Sequence, residues 1–376
     1  MDNGQHVFFE LVRAGLFLGQ DARIVVHGAP ADWSAVYRLA EEQSVVGLVA
    51  VGVESLPASE RPPQEVVLQF VGSALQLEQR NKAMNAFVAE LINRLWSADI
   101  YAILVKGQGI AQCYEKPLWR ACGDVDLLLC LDDYERAKAL LLPLASDVET
   151  EYSHFKHQGM TIDGWVVELH GTLHSRLSAR VDKMIDKVQR DVFYGGKVRS
   201  WLYGWTQVFL PAPDEDVIFV FTHILHHFFF EGIGLRQICD WSRLLWTYRD
   251  KLNHELLEER IRKAGMMTEW KAFAAFAVRY LGMPEEAMPL YDENDNHNEK
   301  LQKKADGICK FVMEVGNFGH NDRRDFTDMP YMKRKFFSFW GRLSDMLRHF
   351  RLFPLDSVRF FGGVLRSGLH AAVRGE

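Results

Sequence analysis

Two aspartates one residue apart, Asp124 and Asp126, are the residues of this 376-residue chain whose spacing first suggests chemistry. The apolar run that follows them is typical of a buried strand. Because strand side chains alternate between faces, both carboxylates point one way while Val125 and Leu127 point into a core. Two acids so close repel each other unless a cation lies between them, and Mg²⁺ takes oxygen ligands of this kind. The alternative is a solvated strand end without a ligand.

A glycine-containing turn before the two aspartates suggests a phosphate site. Residues 100–105 are apolar and partly β-branched, which predicts a buried strand, and the segment containing Lys106, Gly107 and Gly109 follows directly. Such a turn lets backbone N–H groups approach a phosphate at the start of the next helix, and a lysine ammonium is a natural phosphate partner. Glycines after strands more often form turns alone, so a plain turn is the alternative.

A third carboxylate lies on a later predicted strand. Within the strand-like residues 160–169, Asp163-Gly164 is typical of a hairpin turn. Beyond that turn, Glu168 and His170 share one face of the strand. A third acid on a strand beside the first would complete a two-metal site. The alternative is an edge strand with ordinary polar alternation.

Helical patterns flank this strand-rich region on both sides, which predicts an α+β protein. The apolar periodicity divides the chain into an N-terminal helical region (1–98), an α/β core (99–210) and a C-terminal helical region (211–376). The predicted helices cover 7–18, 33–56 with breaks near Gly47 and Gly52, 64–97, 132–143, 214–230, 235–249 and 254–281; a further strand is predicted over 148–157 and a polar loop over 292–298.

Composition narrows the class of protein. The net charge of −6 argues against bulk nucleic-acid binding, and five scattered cysteines without a C-x-x-C pair predict free thiols instead of disulfides or a zinc site. The N-terminus lacks the features of a signal peptide, and no apolar run approaches the ~18 residues of a membrane span. We therefore expect a cytoplasmic protein without a transmembrane segment.

The C-terminal stretch 332–376 is locally basic, with nine basic residues against three acidic ones and eight aromatic residues interleaved. This pattern could contact RNA or an anionic membrane surface. The alternative is a set of C-terminal helices that pack their aromatic side chains on the core.

The predicted C-terminal helices carry further polar candidates. His223, His226 and His227 lie close together, but no other ligand completes a zinc set, so packed or substrate-facing histidines are the simpler interpretation. On the next helix, Arg236 and Asp240 are four residues apart and can pair.

In this order, the motifs resemble the nucleotidyltransferase superfamily typified by DNA polymerase β. More specifically, they look like a family of uncharacterised bacterial nucleotidyltransferases, over about residues 32–245. The matching motifs are Val105-Lys106-Gly107, Arg120, Asp124-Val125-Asp126-Leu127-Leu128, Glu168-Leu169-His170, the histidines at 223–227, Gly234-Leu235-Arg236 and Asp240. One departure is Gln108, which stands where the wider superfamily has a serine that contacts the triphosphate.

The resemblance implies a polymerase β-like core, a small mixed sheet with flanking helices, between two helical regions. It implies transfer of a nucleoside monophosphate from an NTP such as ATP to a hydroxyl or phosphate acceptor, with a small molecule favoured. It assigns catalysis and Mg²⁺ binding, with Mn²⁺ as an alternative ion, to Asp124, Asp126 and Glu168. Nucleotide contacts fall to Lys106, Gly107, Gly109 and Arg120, and contacts to the acceptor or to the catalytic groups fall to His170, His223, Arg236 and Asp240.

Three alternatives remain open from the sequence. The first is an RNA- or protein-modifying nucleotidyltransferase of toxin–antitoxin type, which the basic C-terminal stretch would suit. The second is an Asp-x-Asp glycosyltransferase, which does not account for the lysine–glycine turn or for Glu168. The third is a catalytically inactive binding module on the same fold.

Overall fold

The computed structural model describes residues 2–17, 31–151, 156–230, 232–316 and 349–359. In these residues a small mixed sheet lies between an N-terminal and a C-terminal set of helices, so the predicted α+β class is confirmed. No helix in the described parts of the chain is long and apolar enough to cross a membrane.

Four helices precede the sheet: α1 (Asn3–Leu16), α2 (Trp33–Glu42), α3 (Val46–Glu54) and α4 (Gln64–Trp96). The predicted break near Gly47 is present at residues 43–45, between α2 and α3, whereas the break predicted near Gly52 is wrong, because Gly52 lies inside α3. A Cβ atom on Gly47 would lie 1.9 Å from the carbonyl oxygen of Trp119, and one on Gly52 would lie 2.2 Å from that of Leu11. These glycines therefore allow close backbone packing instead of ending a helix.

The sheet and its connections occupy β1 (Ala102–Val105), α5 (Gly107–Ala111), β2 (Asp124–Leu129), α6 (Leu131–Leu141), β3 (Asp147–Val148), β4 (His157–Ile162) and β5 (Trp165–His170). The strand order is β1-β2-β5-β4-β3. Strands β2 and β5 are parallel, and the other neighbours are antiparallel. The strand predicted over 148–157 is wrong as one element, because its ends belong to β3 and β4; residues 152–155 lie outside the described residues.

The two faces of the sheet have different surroundings. Val125, Leu127, Val167 and Leu169 are buried in an apolar cluster with the second half of α4 and with α6. Burying these side chains contributes about 1.5–3 kcal/mol each. Because side chains alternate, the polar residues of β2 and β5 are held on the opposite face.

The remaining elements are α7 (Ala179–Tyr194), β6 (Val198–Tyr203), β7 (Thr206–Pro211), α8 (Pro213–Phe230), α9 (Leu235–Tyr248), α10 (His254–Ala264), α11 (Met267–Leu281), α12 (Glu293–Asn296) and α13 (Glu299–Val315). The polar segment 292–298 is not all loop, because Asp292 and Asp295 form a capping box around α12. Of the basic stretch 332–376, only 349–359 is described.

Helices from the two ends of the chain share one apolar core. α1 packs on α3 and on α11, and the side chains of Trp241, Trp270 and Phe221 form a buried aromatic cluster within the same core. The N-terminal and C-terminal helices are therefore packed together through one core.

Candidate active site

The register of the sheet brings four polar side chains to one face. In the parallel pair β2 and β5, Asp126 lies opposite Glu168. In the antiparallel pair β4 and β5, His157 lies opposite His170. Asp124, two residues before Asp126, adds a fifth side chain to the same face. Residues far apart in sequence therefore become neighbours through backbone pairing.

Hydrogen bonds and ion pairs connect these side chains. The Lys106 ammonium donates to Oδ1 of Asp126 at 2.9 Å, and Nε2 of His170 lies 2.8 Å from the same oxygen. Oε2 of Glu168 lies 3.2 Å from Nε2 of His157 and 3.4 Å from Nε2 of His170. The two imidazole rings stack with their centroids 4.8 Å apart.

The pKa values of the group reflect repulsion among its carboxylates and attraction between these carboxylates and the neighbouring lysine and histidines. Burial, together with repulsion from Asp126 and Glu168, raises the pKa of Asp124. Burial would also raise the pKa of Glu168, but hydrogen bonds from His157 and His170 lower it overall, so this carboxyl is ionised near neutral pH. Burial opposes the charge on Lys106, yet the nearby carboxylates raise its pKa. A divalent cation would offset the repulsion among these carboxylates.

The turn between β1 and α5 places Lys106 at the site. Lys106 has a φ of 56° and Gly107 a φ of 38°. Residues other than glycine rarely adopt this left-handed region. A Cβ atom on Gly107 would lie 3.1 Å from Sγ of Cys122, so glycine suits both the conformation and the space. The second predicted glycine, Gly109, packs against Leu210 of β7 instead. A Cβ atom on Gly109 would lie 2.8 Å from Cδ2 of Leu210.

A cleft of about 600 Å³ opens in front of the four side chains. Its other walls are the segment 172–176 and helices α8 and α9. The lining includes these sequence-predicted residues: Lys106, Gly107, Arg120, Asp124, Asp126, Glu168, His170, His223, Arg236 and Asp240. Among the sequence-predicted residues, Gly109 alone does not line it.

The ion pair predicted between Arg236 and Asp240 is replaced by a longer-range contact. Arg120 binds Asp240 through Nε at 3.1 Å and Nη2 at 2.5 Å, and the Tyr114 hydroxyl donates to Oδ1 of Asp240 at 2.8 Å. Nη1 of Arg236 donates to the carbonyl of Ala121 at 2.9 Å. Both arginines therefore hold the segment before β2 against α9.

A family model described as an uncharacterised nucleotidyltransferase matches residues 29–282. The chain belongs to this nucleotidyltransferase family. Searches of curated proteins and of solved structures give no significant match. The matched range contains every residue placed at the cleft, and the predicted resemblance is confirmed.

Three histidines of this nucleotidyltransferase, His223, His226 and His227, line the cleft from α8. Nε2 of His223 lies 3.1 Å from Nε2 of His227, four residues later on the helix. Nδ1 of the neighbouring His226 contacts the carbonyl of Ser175 at 2.8 Å. Burial and the nearby Lys106 ammonium lower the pKa of His223 well below its ordinary value, so it is neutral near pH 7.

His157 of the nucleotidyltransferase is a site residue that the sequence motifs did not identify. The signal was present in the predicted turn at Asp163-Gly164, because a two-residue hairpin turn fixes the register of the strands that it joins. Counting back from that turn pairs His157 with His170, as observed.

The donor set of the nucleotidyltransferase fits a hard divalent cation. Three carboxylates (Asp124, Asp126 and Glu168) line the cleft, and burial and mutual repulsion raise the pKa of Asp124. Carboxylate oxygens are the ligands that Mg²⁺ and Mn²⁺ prefer. The predicted ion therefore suits the residues that would hold it.

Proposed function

We propose that this nucleotidyltransferase moves a nucleoside monophosphate from an NTP to a hydroxyl or phosphate acceptor. The observation that carries the proposal is the parallel pairing of β2 with β5, which sets Asp126 beside Glu168 with Asp124 on the same face. Mg²⁺, or Mn²⁺ in its place, would be held by these three carboxylates. When bound, the ion supplies charge neutralisation for the phosphates and lowers the pKa of the attacking oxygen.

Basic groups favour the nucleotide at the β1 side of the cleft. The backbone N–H of Gly107 and the Lys106 ammonium lie at a helix start, where phosphate oxygens are favoured. Lys106 already neutralises Asp126, and it can exchange this carboxylate for a phosphate oxygen without leaving the cleft. Arg236 contributes a second positive charge from α9.

Glu168 is the group best suited to take the proton of an acceptor hydroxyl. His157 and His170 keep it ionised, and it lies beside Asp126 at the centre of the polar face. Because the same hydrogen bonds lower the pKa of Glu168, its carboxylate is a weak base, and its contribution to proton transfer comes from orienting the acceptor hydroxyl.

The size of the cleft supports a small-molecule acceptor. Sites for small ligands typically measure about 300–1,000 Å³, and this cleft of about 600 Å³ falls within that range. Its α8 wall mixes Phe219 and Ile224 with His223, which suits a partly apolar acceptor with polar groups. The RNA alternative depends on the basic stretch 332–376, of which the structure describes 349–359 alone.

Label transfer tests the proposal. The purified protein is incubated with Mg²⁺, each of four α-labelled NTPs and fractionated small molecules from a cell extract. We expect a labelled product with the wild type and a loss of about 10²–10³-fold with Asp124→Asn, because a transition-state interaction of about 3–4 kcal/mol is removed. The matched control is Asp147→Asn, an exposed aspartate on β3.

Equal labelling by the wild type and Asp124→Asn would contradict the proposed role of the carboxylates in the reaction. Label that moves to macromolecules instead of small molecules would favour the RNA- or protein-modifying alternative.

A further inference from the structure

Three potential metal ligands converge beside the carboxylates. Nε2 of His157, Oε2 of Glu168 and Nε2 of His170 all lie within 4.8 Å of one another. Among the residues that the structure describes, this is the one group of three potential metal ligands that lie so close together. Two of the three ligands are imidazoles, which sets the group apart from the carboxylate set of Asp124 and Asp126.

The sheet itself builds this group. His157 and His170 are cross-strand partners, and Glu168 lies two residues before His170 on the same face. The paired backbones fix all three Cα positions, and the imidazole rings lie nearly parallel, with 23° between their planes. Ligands on rigid strands hold a metal ion more precisely than ligands on loops.

The separations match those of a coordination sphere. With bonds of about 2.0–2.1 Å to nitrogen and oxygen, neighbouring ligands of a tetrahedral ion are roughly 3.4 Å apart. Oε2 of Glu168 is 3.2 Å from His157 Nε2 and 3.4 Å from His170 Nε2. For the three atoms to share an ion, the two nitrogens have to approach each other, and the stacked imidazole rings have to turn so that both Nε2 atoms point at one position.

We propose that His157, Glu168 and His170 bind a borderline transition-metal ion, of which Zn²⁺ is the representative, in preference to Mg²⁺. Two imidazoles and one carboxylate suit Zn²⁺, Fe²⁺ or Co²⁺, whereas Mg²⁺ takes oxygen ligands and keeps its waters. This inference deepens the proposed function, on which it rests in one respect: the ion would be the second of the two metals at the site.

The position of the ion gives it access to the cleft. All three ligands line the cleft, so coordination positions on that side are open to an acceptor oxygen. Asp126 Oδ1, 2.8 Å from His170 Nε2, lies at the border between this site and the carboxylate set. The nucleotidyltransferase would therefore combine a hard ion at Asp124 and Asp126 with a softer ion at the histidines, and Glu168, which the proposed function places with the two aspartates, would be shared between the two ions.

The test uses metal alone, with no nucleotide present. The full-length protein is stripped with a chelator and titrated with Zn²⁺ by calorimetry, and with Co²⁺ by visible absorption, in excess Mg²⁺. We expect one equivalent to bind to the wild type and affinity to fall at least about 100-fold in His157→Ala, because a direct ligand is lost. His157→Gln is the second variant, since it keeps more of the side-chain volume.

Three control variants locate the ion. Asp124→Asn removes a proposed Mg²⁺ ligand but leaves the three-residue group intact, so it should still bind Zn²⁺. His297→Ala removes an exposed histidine and should bind like the wild type. His223→Ala disrupts the pair with His227 on α8 and should also bind like the wild type.

The outcomes separate the inference from the proposed function. No Zn²⁺ binding, or binding lost only in His223→Ala or only in Asp124→Asn, overturns the site. None of these results affects the label-transfer assay, which needs Mg²⁺ and the carboxylates. Conversely, Zn²⁺ bound by the histidines in a protein that transfers no label supports the site and refutes the proposed function.

Discussion

Replacing Asp240 by asparagine should destabilise the protein strongly. Asp240 holds Arg120 through two hydrogen bonds and accepts a third from Tyr114, and the side chains of the ion pair are each 7% exposed. Asp240→Asn keeps the shape but removes the charge. In the wild type, burial opposes the charge on Arg120, and the Asp240 carboxylate offsets this by raising the pKa of Arg120. In Asp240→Asn, the guanidinium therefore stays buried without this counter-ion.

The expected cost is about 3–5 kcal/mol, the range measured when one partner of a buried ion pair is removed. The double variant Arg120→Met/Asp240→Leu removes both charges and replaces them with apolar side chains of similar length. It should be more stable than Asp240→Asn, because no unpaired charge remains. A solvent-exposed pair would behave differently and contribute about 0–1 kcal/mol.

Urea unfolding measures these differences. The matched control is Glu90→Gln, which breaks the exposed pair of Glu90 with Arg94 on α4 and should cost less than about 0.5 kcal/mol. A cost below about 1 kcal/mol for Asp240→Asn, or a double variant less stable than the single one, would refute the reasoning. If the double variant folds, its KM for NTP also tests the predicted contact between Arg120 and a phosphate. Loss of that contact should raise the KM.

Two further perturbations follow from buried groups outside the cleft. Burial, and then the Asp356 carboxylate, raise the pKa of Glu269 well above its ordinary value. Because the folded state then binds this proton more tightly than the unfolded chain, stability falls as pH rises from about 4.5. Glu269→Gln should therefore be more stable than the wild type in urea unfolding at pH 8, with a smaller advantage at pH 5. Gly47→Ala should lower the melting temperature and cost at least about 1–3 kcal/mol, because its Cβ atom meets the Trp119 carbonyl oxygen at 1.9 Å.

Matched variants give each measurement a reference. Glu65→Gln changes an exposed glutamate of α4 and is measured at pH 5 and pH 8 as the reference for Glu269→Gln. A pH-independent effect of Glu269→Gln would contradict the first prediction. Gly72 lies in α4, where an added Cβ atom would meet no neighbouring atom within 4 Å, so Gly72→Ala should stabilise the protein by about 0.5–1 kcal/mol. Equal effects at Gly47 and Gly72 would contradict the second.

The sequence predicted the local parts of the site well. Alternation placed Asp124 and Asp126 on one face, and the turn at Asp163-Gly164 is present, with φ values of 50° and 79°. These features depend on residues close together in the chain. The confirmed family resemblance also rested on spacing within short motifs.

Features that depend on distant contacts could not be read in the same way. The choice of Arg120 as the partner of Asp240 joins residues 120 positions apart, and helical spacing favoured Arg236 instead. Gly52 resembled a helix breaker, but it lies inside α3, where the lack of a side chain makes room for the carbonyl of the distant residue Leu11. In both cases tertiary packing determined the outcome, and a single sequence does not encode that packing as a local pattern.

Helix α1 lies before the family match but packs into the core of the protein. Val7 and Leu11 are fully buried, and Arg13 donates to the carbonyl of Tyr280 at 3.0 Å, near the end of α11. A fragment limited to the family match, 29–282, would lose this helix, expose the apolar surface beneath it and leave that carbonyl without its donor. The family boundary therefore marks where sequence similarity begins, whereas the packed core includes α1 as well.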